Sequence, residues 1–208
     1  MLTITTPATG TALTTRQKLR DRFAGLSDKS DALLDAFIAE ASSRVVGYCQ
    51  RDFGLATYRQ TTRMHGNCRT FIHLPFETPG PIVQILALTV DGVTKTEGTD
   101  FEREGEILYR LSSDHRIPWP RSKIVVDFVA GYSLPDAVAT PTLPAAVEGA
   151  CQALAARLAV AELRDPSLSA ETIFGVAKFE YAGVNDLKNG LPADLAGALD
   201  PFVVRTLA

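Results

Sequence analysis

The segment from Thr142 to Asp165 constrains the fold more than any other part of the chain, because it carries one uninterrupted helical period. Its apolar residues recur at alternating steps of four and three, which places them on one face of an α-helix: Val147, Cys151, Leu154, Leu158 and Ala161. Thr142 is suited to cap this helix, Pro144 suits its first turn, and Asp165-Pro166 ends it. The pattern predicts a central core helix, and its alanine-rich flanks leave open that one side packs on a neighbouring subunit.

Composition and charge exclude several classes of protein. The 208 residues are 46% apolar and 22% charged, which is enough for one domain with a real core or for two small ones. The net charge of −3 argues against a general nucleic-acid-binding surface, which needs a basic excess. No apolar run has the roughly 18–20 residues of a membrane span, and the threonine-rich start does not predict a signal peptide. The scattered cysteines Cys49, Cys68 and Cys151 predict synthesis in a reducing cytosol.

Two helices are predicted in the first part of the chain, after an extended lead-in over residues 1–13. Thr14 or Thr15 caps a short helix over RQKLRDRF, and Ser27 caps a longer one that ends near Arg51. The longer helix has apolar residues at helical spacing, namely Leu34, Phe37, Ile38, Ala41, Val45 and Tyr48.

Residues 57–132 have the pattern of about six short β-strands. TYRQTTRM and RTFIHL flank an HGNC turn, and Asp91-Gly92 follows the apolar run IVQILALTV as a hairpin signal. A further hairpin is predicted around Glu104-Gly105, and SKIVVDFVAGY is the last strand. These strands are numerous enough to form a small sheet or sandwich of their own.

The predicted fold class is therefore α+β, a helical core with an inserted small antiparallel β module. The core helices are expected near 28–51, 143–164 and 192–206. The chain divides into an N-terminal helical part, a β insertion, and a C-terminal helical part with a docking arm, at 1–56, 57–132 and 133–208. Within the last part, FGVAKFEYAG predicts an extended arm or a hairpin, and Leu191-Pro192 opens the final helix.

A search for catalytic chemistry finds no convincing site. His65, Cys68 and His73 could be imagined as metal ligands, but a fourth ligand is missing and the spacing imposes no geometry. Ser133 lacks the glycine framework of a nucleophile elbow, and Cys151 lies on the apolar helix face. No glycine-rich phosphate loop is present. The sequence predicts no catalytic residue, no metal and no cofactor.

Two further features allow more than one interpretation. One predicted hairpin carries three arginines, Arg59, Arg63 and Arg69. They either bind phosphate or carboxylate, or form a solvated strand face. Trp119, between two prolines, either anchors a loop on the sheet or marks an interface.

Five segments, in this order, resemble the head–tail connector (adaptor) proteins of long-tailed bacteriophages and gene transfer agents. They are DALLDAFIAEASSRVVGYCQRDFG, ILYRL followed by IPWP, IVVDFVAGY, LPAAVEGACQALAARL and RDPSLSAETIFGVAKFEY, which together cover most of residues 27–181. The resemblance implies a helical core with a β insertion. It also implies a ring, commonly of twelve copies, that lies beneath the portal protein and extends the DNA channel.

What the resemblance implies about function is structural rather than catalytic, since the family has no known catalytic residues. The expected partners are further copies of the chain, the portal protein and a stopper or other neck or tail protein. DNA would pass through the lumen without sequence-specific binding, and no membrane is involved. The expected location is the neck of a virion or phage-like particle, made in the bacterial cytoplasm. Two alternatives remain: another neck or tail completion protein, and a small enzyme with an unrecognised site.

The C-terminal part supplies the expected partner-binding residues. It carries apolar and aromatic groups between breaks at Pro166, Gly175, Gly183 and Pro192, so it needs a surface to cover them. The surface is either the portal or an adjoining subunit, or the chain's own helices. The residues concerned are Ile173, Phe174, Phe179, Tyr181, Phe202 and Val203.

Overall fold

The computed structural model divides into two compact units. All four described α-helices lie in one of them, which combines the segments Thr11–Arg51 and Leu134–Ala208. The structure describes residues 1–64, 69–74, 80–136, 140–161, 170–173, 177–180, 187–188 and 191–204. The described helices are α1 Arg16–Arg22, α2 Asp31–Cys49, α3 Ala145–Ala161 and α4 Ala193–Leu199. None of these helices is long and apolar enough to cross a membrane.

Helix α3 is the central helix of this unit, as the sequence predicts. It packs against both α2 and α4. Val147, Cys151 and Leu154 of its apolar face are buried. The alanines on its flanks are buried as well, because they let the neighbouring backbones approach closely: Ala150, Ala155, Ala156 and Ala159.

Two predicted helix starts need correction. Ser27 does not cap α2, because Ala24–Leu26 form a 3-10 helix and the Lys29 N–H still bonds to the Leu26 carbonyl at 3.2 Å. Ser30 is the N-cap instead, and its hydroxyl accepts from the Leu33 N–H at 3.4 Å.

Helix α3 starts later than predicted, at Ala145, and the Pro144 carbonyl accepts from the Glu148 N–H at 3.2 Å. Thr15 caps α1 as expected, with its side chain accepting from the Lys18 N–H. The predicted end of α3 at Asp165 lies outside the described residues.

The second unit contains Met1–Gly10 and Asp52–Ser133. Its strands are β1 Leu2–Thr6, β2 Ala56–Arg63, β3 Phe71–His73, β4 Ile82–Val90, β5 Val93–Lys95, β6 Phe101–Glu104, β7 Ile107–Ser112, β8 His115–Ile117 and β9 Lys123–Ala130. The predicted division placed residues 1–10 with the helices. They join the strands instead, because β1 pairs antiparallel with β2 as an edge strand.

The strands form two antiparallel sheets. One sheet has the order β1-β2-β9-β4-β5. In the other, β6 pairs with one edge of β7, while β3 and β8 pair with successive parts of its opposite edge. The sequence predicts about six strands, and the structure adds the three-residue strands β5 and β8. They follow tight turns at Asp91-Gly92 and Ser113-Asp114, where all four residues have positive φ.

The two sheets share one hydrophobic core. Strand β9 alternates strictly, with Ile124, Val126, Phe128 and Ala130 buried. Trp119 is 1% exposed, and its indole N–H donates to the Leu108 carbonyl at 3.2 Å. Trp119 is therefore an internal anchor of the β module, which confirms the prediction that it fixes a loop on the sheet.

The predicted hairpin that joins Arg59 and Arg63 to Arg69 is wrong. Strand β2 pairs with β1 and β9, whereas β3 pairs with β7 in the other sheet. Alternation along a strand shows which face is buried, but it does not identify the strand's partner.

The C-terminal part contains two described strand pairs. Strands β10 Ala170–Ile173 and β11 Ala177–Glu180 pair antiparallel, in agreement with the hairpin alternative. Strands β12 Leu187–Lys188 and β13 Leu191–Pro192 form the second pair and lead directly into α4. The predicted last helix, 192–206, is α-helical only to Leu199, and Pro201 lies in the first turn of a 3-10 helix, Asp200–Phe202.

Leu154→Asp tests the central position of α3. Leu154 is 3% exposed, so an aspartate there would be a buried and unpaired charge. We expect a loss of about 3–5 kcal/mol in the free energy of unfolding, measured by urea denaturation. The control is Val160→Asp on the same helix, where the side chain is 43% exposed and the expected loss is below about 1 kcal/mol. Equal losses in both variants would contradict the assignment.

Candidate functional site

The described residues contain no cluster of three or more histidine, cysteine, aspartate or glutamate side chains that could hold a metal. Of the three imagined ligands, His65 and Cys68 lie outside the described part of the chain. The third, His73, has its Nδ1 atom 2.6 Å from the Leu74 carbonyl oxygen.

The two described cysteines lie in the helical core. Cys49 and Cys151 are fully buried, and Cys151 Sγ lies 3.5 Å from the Ser42 hydroxyl oxygen. Burial raises the pKa of each thiol to about 11, so both are neutral at physiological pH. A neutral buried thiol is a poor nucleophile, and Cys151 is a small core residue as the sequence indicates.

A polar network clamps the N-terminal segment onto α3. The Thr14 hydroxyl accepts from the Gln152 amide at 3.0 Å and lies 3.3 Å from the Glu148 carboxylate. Lys18 donates to the same carboxylate at 2.8 Å, and Arg22 donates to the Gln152 carbonyl oxygen at 2.8 Å. Because these groups satisfy one another, the network fixes α1 on α3.

The predicted partner-binding residues fall into two places. Phe202 and Val203 are partly buried in a segment that is fixed to the end of α2. The Tyr48 hydroxyl donates to Asp200 at 2.5 Å, and the Val204 N–H donates to the Cys49 carbonyl at 3.0 Å. These bonds hold the segment that carries Phe202 and Val203 at the end of α2.

The other predicted residues belong to the C-terminal hairpin region. Ile173 is the last residue of β10, and Phe179 lies in β11, where its backbone registers with Glu171. Phe174 and Tyr181 lie outside the described residues. The structure thus separates the hairpin pair from the anchored pair Phe202 and Val203.

Arg59 has an internal carboxylate partner. Its guanidinium donates to both oxygens of Asp127 at 2.6 and 2.7 Å, directly across from it on β9. This bidentate pair raises the pKa of Arg59 and engages its Nε and one of its Nη atoms. Of the two ligands considered for this arginine, the structure supplies the carboxylate.

The strand unit exposes apolar side chains that sequence periodicity does not reveal. Val83 and Leu86 of β4 are 53% and 50% exposed, and each lies where the register with β9 shifts by one residue. Each bulge adds one residue to β4 that has no register partner on β9. The side chain of that residue therefore departs from the strict alternation between the two faces of the sheet. Ile4, Phe71 and Val93 are also exposed.

The fold resembles that of chains in a phage-like particle. One is described as the neck of a native gene transfer agent particle computed with C12 symmetry; it is 19% identical, with a TM-score of 0.50 over 100% of this chain and 97% of that chain. A chain of the virion of a native gene transfer agent particle gives the same identity, coverage and TM-score. No protein-family model and no curated protein sequence matches the chain. At this identity the likeness establishes a shared fold.

The buried cysteines make a testable chemical prediction. At pH 8 a thiol with a pKa of about 11 is ionised to about one part in a thousand, against roughly a quarter for free cysteine. In a Cys68→Ser variant, we expect native Cys49 and Cys151 to react with iodoacetamide more than ~100-fold slower than free cysteine. Mass spectrometry of timed samples measures this, and urea-unfolded protein is the control. Rapid labelling of the native protein would show that the core opens readily.

Proposed function

We propose that the chain is a structural head–tail adaptor of a phage or gene transfer agent particle. In this role it forms a ring beneath the portal, extends the DNA channel and docks the next neck component. The observation that carries the proposal is the likeness of the whole chain to a neck chain, with 100% of one and 97% of the other aligned. The five ordered sequence segments that resemble connector proteins support it independently.

We propose a ring of twelve copies. The similar neck was computed with C12 symmetry, which motivates this number. A closed ring requires two different complementary faces on each subunit, because a heterologous contact must repeat until it closes. The two units of the chain have separate cores and offer distinct surfaces from which such faces could be built.

The proposal assigns no catalysis, no cofactor and no membrane contact to the chain. It is supported by the environments of the described titratable groups whose pKa is shifted. Lowered carboxylate pKa values arise from ion pairs and hydrogen bonds that hold elements together, such as Arg157 with Asp194 between α3 and α4. Burial raises the pKa of the Cys49, Tyr58 and Cys151 side chains, and carboxylate partners raise the pKa of Arg59 and Arg116. These groups serve structure, which suits an assembly protein of the particle neck.

The proposed docking arm is the hairpin of β10 and β11 together with its flanking residues. Ile173, Phe174, Phe179 and Tyr181 are the proposed contacts with the portal or an adjoining subunit. Phe202 and Val203 complete the set and lie in the segment anchored to α2.

The first test of the adaptor role is stoichiometry. Purified chain is mixed with the portal protein of its own particle and analysed by native mass spectrometry and electron microscopy. We expect complexes that contain twelve copies as a ring on one end of the portal. A chain that ignores the portal but binds a preassembled portal–adaptor complex would instead be a stopper or completion protein, and would overturn the adaptor role.

The second test concerns the hairpin. The double variant Ile173→Ser/Phe179→Ser should leave the melting temperature within about 2 °C of wild type and weaken portal binding at least tenfold, because it removes two of the proposed partner contacts. Phe202→Ala tests the anchored pair separately, and we expect it to lower the melting temperature as well as weaken portal binding, because its side chain is partly buried and is also a proposed contact. Unchanged portal binding by the double variant would contradict the docking arm.

A further inference from the structure

Four cationic residues lie on neighbouring backbone segments at one end of the larger sheet of the strand unit. Arg63 ends β2 and is the register partner of Lys123, which begins β9. The Met64 N–H donates to the Ser122 carbonyl at 3.1 Å, and the Trp119 N–H donates to the Arg69 carbonyl at 2.8 Å. These bonds hold the chain after β2 beside the chain before β9. We call the resulting group the basic tip: Arg63, Arg69, Arg121 and Lys123.

The basic tip differs from eight other described cationic residues in having no carboxylate partner, whereas Arg22, Arg103 and Arg110 donate to neutral oxygen atoms. Eight described lysine and arginine side chains lie within 4.0 Å of a carboxylate: Arg16, Lys18, Arg20, Arg44, Arg59, Lys95, Arg116 and Arg157. Within the described part of the chain, none of the four side chains of the basic tip has such a partner. All four residues are exposed.

Only one carboxylate is placed near the basic tip by the described contacts. Asp91 accepts from the Lys123 backbone N–H at 2.8 Å. A hydrogen bond from the Ser122 side chain contributes most to lowering the pKa of Asp91, with Arg63 as a weaker electrostatic cause. Asp91 therefore organises the backbone of the turn, and the four cations of the basic tip outnumber this one anion. Like charges clustered in this way repel one another unless an external anion compensates them.

We propose that the basic tip contacts the phosphate backbone of double-stranded DNA. The choice of DNA as the anion rests on the proposed neck function, in which DNA passes through the ring. Phosphates recur about every 1.7 Å along the duplex axis, so long flexible cations can meet them without a preformed pocket. Interfaces with proteins also use arginine, but they place it around buried aromatic or apolar anchors. The contact is independent of DNA sequence, because phosphates carry no sequence information.

The contact must also be weak in each subunit, because DNA has to move. Four neutralised phosphates give a salt slope of about −3.6 in log K against log salt. Binding then weakens roughly 100-fold between 50 and 200 mM salt. A local cluster of this strength is compatible with the net charge of −3, since the rest of the chain supplies the excess of acidic residues.

The experiment measures binding of the full chain to a fluorescent 30-base-pair duplex by anisotropy, in sodium chloride from 20 to 200 mM. We expect saturable binding at low salt with a slope of about −3.6, decreasing in magnitude by about 0.9 for each cation of the basic tip changed to glutamine. The variant that removes the whole tip is Arg63→Gln/Arg69→Gln/Arg121→Gln/Lys123→Gln. The control removes four cations that have carboxylate partners elsewhere: Arg16→Gln/Arg44→Gln/Lys95→Gln/Arg157→Gln.

The tip variant should lose at least tenfold in affinity at 50 mM salt, whereas the control should lose less than threefold. Equal losses would show a response to net charge alone and overturn the proposal. Absence of binding by the wild-type chain at 20 mM salt would also overturn it. Displacement of the duplex by poly-L-glutamate as efficiently as by unlabelled duplex would identify an acidic protein surface as the partner instead, and would overturn the choice of DNA.

Portal binding separates this inference from the neck function. A tip variant that still joins the portal but no longer binds the duplex supports both. A wild-type chain that binds the duplex through the basic tip yet ignores the portal supports the DNA contact and removes the adaptor role. Circular dichroism of each variant confirms that the fold is retained before binding is compared.

Discussion

The burial of α3 is the constraint on which the helical unit depends. A helix whose apolar stripe and alanine flanks are both buried must be covered by more than one neighbour, and α2 and α4 provide this cover. The N-terminal segment is then fastened to α3 through Gln152 and Glu148, which carry hydrogen bonds from Thr14, Lys18 and Arg22.

The strand unit follows a different rule, because its core lies between two sheets. Strand β9 contributes four buried residues in strict alternation and has β2 on one edge and β4 on the other. Its end is fixed by Gly131, which has a φ of +120° and leaves only 2.4 Å between the Gly54 carbonyl oxygen and the place a Cβ would occupy. A side chain at residue 131 would therefore be both strained and in steric conflict.

For a protein proposed to act by assembly, the informative residues are those whose interactions stay incomplete within one chain. Arg59 and Arg116 each have carboxylate partners in the same unit, which explains their presence without a further partner. The exposed side chains of Val83, Leu86 and Val93, and the four cations of the basic tip, have no comparable internal explanation among the described contacts. Surfaces of this kind are where a neighbouring subunit, the portal or DNA would make contact.

The sequence by itself determined the elements of local origin: α3 from its period, the turns at Asp91-Gly92 and Gly105 from their residue types, and the alternation of β9. These follow from interactions between residues close in the chain, which a pattern records directly. Only the tertiary structure decided that β1 joins the strand unit, that β2 and β3 belong to different sheets, and that the backbone segments of Arg63 and Arg69 lie beside the segment of Arg121 and Lys123. Those placements depend on pairing between segments some 50 residues apart, where burial of a shared core selects among strands that look alike in sequence.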